Sequence, residues 1–135
     1  MTQLGTQKRP LRIAIIGTGP SGYYSADALF KSNITINIDL FDRLATPFGL
    51  LRNGVAPDHQ QMKSIRNYYN RIQEKNTTNI EFFGNVEIGK DLSINELKQH
   101  YDSIIYAYGS ESDKKINFIF INYACYNANK IMFAF

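Results

Sequence analysis

The stretch Leu11-Arg-Ile-Ala-Ile-Ile-Gly-Thr-Gly-Pro-Ser-Gly22 decides the fold of this chain. Its isoleucine-rich start, Ile13 to Ile16, shows no polar alternation and predicts a strand buried on both faces. The run breaks at Gly17, and Gly17, Gly19 and Gly22 keep the Gly-x-Gly-x-x-Gly spacing of a dinucleotide-binding turn. Each position answers a different demand. The first permits a tight turn, the second lets a pyrophosphate approach the backbone, and the third lets the next helix pack close to the strand. That helix is predicted over about Pro20 to Lys31, opened by a proline suited to a first helical turn. Its free N–H groups and the positive end of its dipole then face the place where phosphates would lie. Ala26 keeps its contact with the sheet small.

Glycines at this spacing also occur in plain structural turns, so the context carries the argument. A second β-like run, Ile34 to Phe41, follows the helix and ends in Asp42, where an acid can hold a ribose hydroxyl. Strand, glycine turn, helix, strand and acid, in that order, predict an α/β domain with a central parallel sheet and a bound dinucleotide.

At 135 residues the chain has room for one domain with a real core. With 44% hydrophobic and 20% charged residues it has the composition of a soluble globular protein. The net charge of +3 comes from scattered basic residues rather than a massed patch, so no nucleic-acid partner is expected. Cys125 is the lone cysteine, and His59 and His100 have no second ligand at zinc-like spacing, so neither a disulfide nor a metal site is expected. Asn76-Thr-Thr78 matches a glycosylation acceptor but reads as part of a turn. Residues 1–10 lack the apolar core of a signal peptide, and no acid precedes Asp27, a faint echo of a mitochondrial presequence.

From Arg43 to His59 the chain is punctuated by Pro47, Gly49, Gly54 and Pro57, which predicts an ordered loop without helix or strand. A loop of this length inside a compact domain points to a ligand-facing role, with a surface connection as the alternative. Pro57 opens a helix to about Lys75, whose Met62, Ile65, Tyr69 and Ile72 form a core-facing stripe. Asn76 to Asn79 forms a turn, and short strands are expected at Ile80–Phe83 and Val86–Ile88. Ser93-Ile-Asn-Glu96 is a capping box for a short helix to about His100. Ser103 to Tyr108 reads as another buried strand, closed by Gly109. Asparagines and Lys130 within 116–135 make that segment a poor membrane span, and no transmembrane helix is expected.

These residues resemble the adrenodoxin reductase and ferredoxin–NADP reductase family of two-dinucleotide-domain flavoproteins. The resemblance runs from Arg12 to about Phe118 and is most specific in Thr46-Pro-Phe-Gly-Leu-Leu-Arg-Asn-Gly-Val-Ala-Pro-Asp-His59. Gly17–Gly22, Phe82–Gly89 and Tyr101–Gly109 match further family segments. It implies a Rossmann-like FAD/NAD(P)-binding fold with FAD as the dinucleotide. Contacts would fall on Gly17, Gly19, Ser21 and Gly22 in the turn, Asp42 on the adenosine ribose, Leu50 in the signature loop, Ile88 and Gly109. Asp42 stands where the family usually has Glu, which keeps the charge and shortens the reach by one methylene. Arg52, Asp58 and His59 are expected near the flavin ring as the catalytic set, with His59 a proton or hydrogen-bond partner. The plainer alternative is that Asp58 and His59 only open the following helix.

The implied reaction passes electrons from NADPH through FAD to a [2Fe–2S] ferredoxin such as adrenodoxin, with a mitochondrial location. Family members are several times longer, and their NADP site and the segment completing the FAD domain would lie outside this sequence. The chain is therefore expected to be the N-terminal FAD-binding part of such an enzyme, truncated and inactive alone. Its expected divisions are an extension at 1–9, an incomplete FAD-binding domain at 10–115, and an apolar tail unlike the family at 116–135. A non-enzymatic, dinucleotide-binding or partly folded fragment, cytoplasmic if no presequence operates, is the alternative. Ending the chain at Lys115 is expected to raise solubility without weakening nucleotide binding, because Ile116-Asn-Phe-Ile-Phe-Ile121 is an association-prone window. Sedimentation and nucleotide titration of the shortened chain check both halves of that statement.

Overall fold

The computed structural model describes residues 3–53 and 60–110. Four parallel strands form one sheet in the order β3-β2-β1-β4, with β1 at Leu11–Ile16, β2 at Ile36–Phe41, β3 at Ile80–Phe83 and β4 at Ser103–Tyr106. β1 lies inside the sheet, its Ile13 paired with Ile38 on one side and Ser103 on the other. Ile13, Ala14, Ile15 and Ile16 are all buried, as a strand covered on both faces must be.

The two faces of β1 carry two cores. On one, Ile13, Ile15, Ile38 and Leu40 meet Tyr23 and Ala26 of α1 (Pro20–Phe30) and Tyr69 and Ile72 of α3 (Gln60–Lys75). Four of these aliphatic side chains are at least 98% buried, and each such burial contributes roughly 1.5–3 kcal/mol. On the other face Ala14, Ile16 and Phe41 meet Leu97 of α4 (Ile94–His100), with Val86, Ile88 and Leu92 packed beside them. The core stripe expected on α3 is present at Ile65, Tyr69 and Ile72. The capping box is formed as well. The Ser93 hydroxyl accepts from the Glu96 N–H at 3.2 Å, and the Glu96 carboxylate accepts from the Ser93 N–H at 2.8 Å.

Three expectations need correction. The loop after β2 contains a one-turn helix, α2, at Leu50–Asn53. Left-handed backbone at Phe48 (φ +87°) and Gly49 (φ +49°) turns the chain so that the Leu51 and Arg52 N–H groups bond the carbonyls of Phe48 and Gly49. Val86–Ile88 is not a strand. Asn85 (φ +58°) bends the chain out of the sheet, the Val86 N–H returns to the Asp42 carbonyl at 3.0 Å, and Ile88 makes only an isolated bridge to Leu92. β4 ends at Tyr106 and is not a buried strand, since among the described residues it lies at the sheet edge with Ile104 and Ile105 half-covered and Tyr106 exposed. The start of α3 expected at Pro57 and the tail at 116–135 lie outside the described residues.

α1 could not sit where it does with a side chain at its third residue. A Cβ on Gly22 would lie 2.1 Å from the Gly17 carbonyl oxygen, backbone that cannot swing aside. Gly22→Ala is therefore expected to cost roughly 1–3 kcal/mol, the range of an overpacked core. For a domain of this size that lowers the melting temperature by about 4–8 °C per kcal/mol in a calorimetric scan. Ser93→Ala should cost about 1 kcal/mol. Its loss should also be pH-dependent, because hydrogen bonds from the Ser93 hydroxyl and backbone hold the Glu96 carboxyl below its ordinary 4.5. A depressed acid supports the fold fully above its unfolded value and loses that support as pH falls through the folded one. The melting-temperature gap between wild type and Ser93→Ala should thus narrow on acidification below pH 4.5.

Candidate functional site

The site lies at the carboxyl ends of β1 and β2, where a parallel α/β sheet opens its ligand crevice. β1 stops at Ile16 because Gly17 leaves the strand with φ +104°, in a space that admits no side chain. A Cβ there would come within 2.4 Å of the Ala107 carbonyl oxygen. Gly17 is held on the β2 side by its N–H, which donates to the Phe41 carbonyl at 2.7 Å. Gly19 caps α1 with φ −75° and ψ −171°, ordinary extended backbone, and makes no side-chain cap bond. A Cβ on Gly19 would meet nothing within 4 Å. Pro20 occupies the first helical position and Ser21 the next, both exposed, while Gly22 and Tyr23 of the same turn are buried, and the turn holds no acidic residue.

Between the two glycines stands Thr18, fully buried. Its N–H donates to Oδ2 of Asp42 at 2.8 Å, and its hydroxyl donates to the same oxygen. The other carboxylate oxygen, Oδ1, accepts from the Leu44 N–H at 3.0 Å. Asp42 is half-buried, and its carboxylate lies against the glycine turn, 24 positions from Thr18 in sequence. The Thr18 carbonyl accepts from the Phe48 N–H at 3.0 Å, which folds the loop after β2 back over the turn. A Cβ on Gly49 would sit 3.4 Å from the Gly19 Cα, so the loop passes directly beside the second glycine.

Phe48 anchors that loop. Its ring is buried 5.1 Å from Tyr23 and 6.0 Å from Tyr69, while Tyr23 and Tyr69 stack at 4.7 Å and 13°. The Tyr23 phenol is pushed above its usual range by burial and then by the Asp42 charge. It stays neutral and accepts a hydrogen bond from the Gln73 amide at 2.9 Å.

The remaining sequence candidates scatter. Leu50 and Arg52 are exposed on α2. Ile88 packs half-buried in the apolar cluster with Ile16 and Phe41, close to the strand ends. Gly109 is exposed with φ +70°. Asp58 and His59 lie outside the described residues. Thr18, Phe48 and the Leu44 N–H were not singled out from sequence. Only the hydroxyl of Thr18, set between two glycines, offered a local signal. A separate cleft of about 410 Å³, lined by Arg12, Asn37, Asp39, Asn79 and Glu81, opens toward the amino ends of β1 to β3, away from the turn. Among the described residues no acid, histidine or cysteine cluster could hold a metal ion, and no helix is long and apolar enough to cross a membrane.

Comparison with known proteins agrees with this geometry. No family model matches the chain. The mitochondrial NADPH:adrenodoxin oxidoreductase of Arabidopsis thaliana is 45% identical over 108 residues, 80% of this chain and 22% of that protein. The mitochondrial protein of the same name from Bos taurus is 35% identical over 112 residues, 83% of this chain and 22% of that one. Among solved structures, Mycobacterium tuberculosis FprA in complex with NADPH superposes with a TM-score of 0.74 at 40% identity, over 81% of this chain and 25% of FprA. The chain thus spans about a quarter of the length of the relatives it matches. The α/β architecture with its parallel sheet is the Rossmann-like fold of that oxidoreductase.

Proposed function

We propose, for a chain homologous over about a quarter of their length to the NADPH:adrenodoxin and NADPH–ferredoxin oxidoreductases, that it forms the FAD-binding portion of such an enzyme. The observation that carries the reading is the behaviour of the three glycines in the turn. Gly17 and Gly22 lack side chains because the fold leaves them no room. Gly19 has room, and its backbone suits any residue, so neither packing nor conformation explains it. A ligand approaching the backbone does.

The residues present fit a dinucleotide. The open face at Gly19 receives the pyrophosphate, and the free N–H groups and positive dipole end at the start of α1 complement its charge. Asp42, at the end of β2 beside the turn, takes a hydroxyl of the adenosine ribose. The loop carrying Phe48, Gly49 and Leu50 passes next to Gly19 and closes over the same space. When bound, FAD supplies the conversion between a two-electron donor and a one-electron acceptor. What this chain contributes is binding and orientation: the turn fixes the phosphates, Asp42 fixes the adenosine end, and the loop after β2 covers the path between them.

Within this reading NADPH is the electron donor, a [2Fe–2S] ferredoxin or adrenodoxin the acceptor, and the mitochondrion the location. The names of the matched oxidoreductases support NADPH and a ferredoxin or adrenodoxin, those from A. thaliana, Schizosaccharomyces pombe and B. taurus being mitochondrial, while the [2Fe–2S] centre rests on the family resemblance alone. Arg52, Asp58 and His59 are the catalytic candidates at the flavin ring. The non-enzymatic alternative has no support from those names.

Gly19→Leu separates ligand binding from folding. The variant should melt within about 2 kcal/mol of wild type, since a Cβ at Gly19 meets nothing within 4 Å and the main loss is that of a Gly at the helix cap. It should nevertheless lose FAD and ADP binding by isothermal titration calorimetry. Equal flavin uptake by the two proteins would refute the assignment.

A further inference from the structure

Thr18 is the one polar side chain in the buried set of the described residues, and every hydrogen-bonding group it owns is in use. Its N–H and its hydroxyl both donate to Oδ2 of Asp42, and its carbonyl accepts from Phe48. Resting on the nucleotide-site reading above, we propose that Thr18 is a positioning residue. By saturating one oxygen of Asp42, it presents the other to a ribose hydroxyl.

An ionised carboxylate offers about four acceptor positions, two on each oxygen. Oδ2 accepts from the Thr18 N–H and from the Thr18 hydroxyl, which uses both of its positions. Among the described residues Oδ1 accepts only from the Leu44 N–H, which leaves one position. A single ligand hydroxyl can therefore be received at Oδ1 without breaking any bond of the fold.

The carboxylate of an aspartate pivots freely about its χ2 torsion, a broad and roughly two-fold one. Without the Thr18 hydroxyl, Oδ2 would regain an open position and the two oxygens would compete for the ligand in different directions. Two donors on one residue, backbone and side chain, remove that freedom. Burial strengthens the effect, because a charge-assisted bond shielded from water is roughly twice as strong as a neutral one. The N–H groups of Thr18 and Leu44 would bond Asp42 whatever the Thr18 side chain, so the part left to the hydroxyl is to close the second position of Oδ2.

The test compares ADP with 2′,3′-dideoxy-ADP, which keeps the phosphates and lacks the hydroxyls, by calorimetric titration of the full chain. Wild type should prefer ADP about tenfold, the worth of one charge-assisted hydrogen bond. Thr18→Val, isosteric and without the hydroxyl, should bind the dideoxy nucleotide as wild type does but lose most of the preference, to within about twofold. A phosphate-binding or purely structural role would weaken both nucleotides alike, and that result overturns the proposal. Thr18→Ser keeps the hydroxyl and removes a methyl group. It should retain the preference, and losing it in a folded protein would also overturn the proposal, including where Thr18→Val does not fold. Equal binding of the two nucleotides by wild type refutes the proposal while leaving the phosphate turn standing. Binding of neither refutes the nucleotide site itself and this inference with it.

Discussion

The structure depends on the absence of a side chain at Gly22. α1 crosses β1 so closely that a single methyl group there would fall within 2.1 Å of the Gly17 carbonyl. That proximity lets Tyr23 and Ala26, the next residues along the buried side of α1, reach Ile13 and Ile15 with no exposed area left on either. It also aims the start of the helix at the carboxyl end of the sheet. The packing of α1 and the position of the glycine turn are thus set by the same contact.

The loop after β2 is fastened to that corner at an energetic cost. Phe48 holds φ +87°, a conformation that costs a bulky residue about 1–3 kcal/mol. Its ring lies tilted against the stacked pair of Tyr23 and Tyr69, and such aromatic pairs add about 0.5–1.5 kcal/mol each beyond the area they bury. The hydrogen bond from the Phe48 N–H to Thr18 completes the offset. The balance is close enough that the loop holds its place only because the stack and the turn are both in position.

Much of this was legible in the chain because its signals are local. Ile13 to Ile16 announces a doubly buried strand by lacking alternation, and the glycine spacing marks where it must stop. Ser93 and Glu96 define a helix start through bonds only three residues long. The misreadings share a cause. Val86 to Ile88 has the composition of a strand, yet a left-handed Asn85 sends it away from any partner strand. Ser103 to Tyr106 is as apolar as a buried strand, but burial depends on what covers it, and among the described residues nothing pairs with its outer edge. The helical turn at Leu50–Asn53 follows from backbone angles at Phe48 and Gly49 that no propensity for phenylalanine suggests.

The order of strand, turn, helix and strand, the residues that face the core, and the acid that ends β2 can all be read from the chain before it folds. Each is written in spacing or periodicity, which short stretches of chain carry unaided. Which glycine is free of the fold, which oxygen of Asp42 is spent on Thr18, and where Phe48 rests emerge only on folding. The last two depend on groups 24 and 30 residues apart coming within hydrogen-bond reach, and no local pattern encodes a distance of that kind.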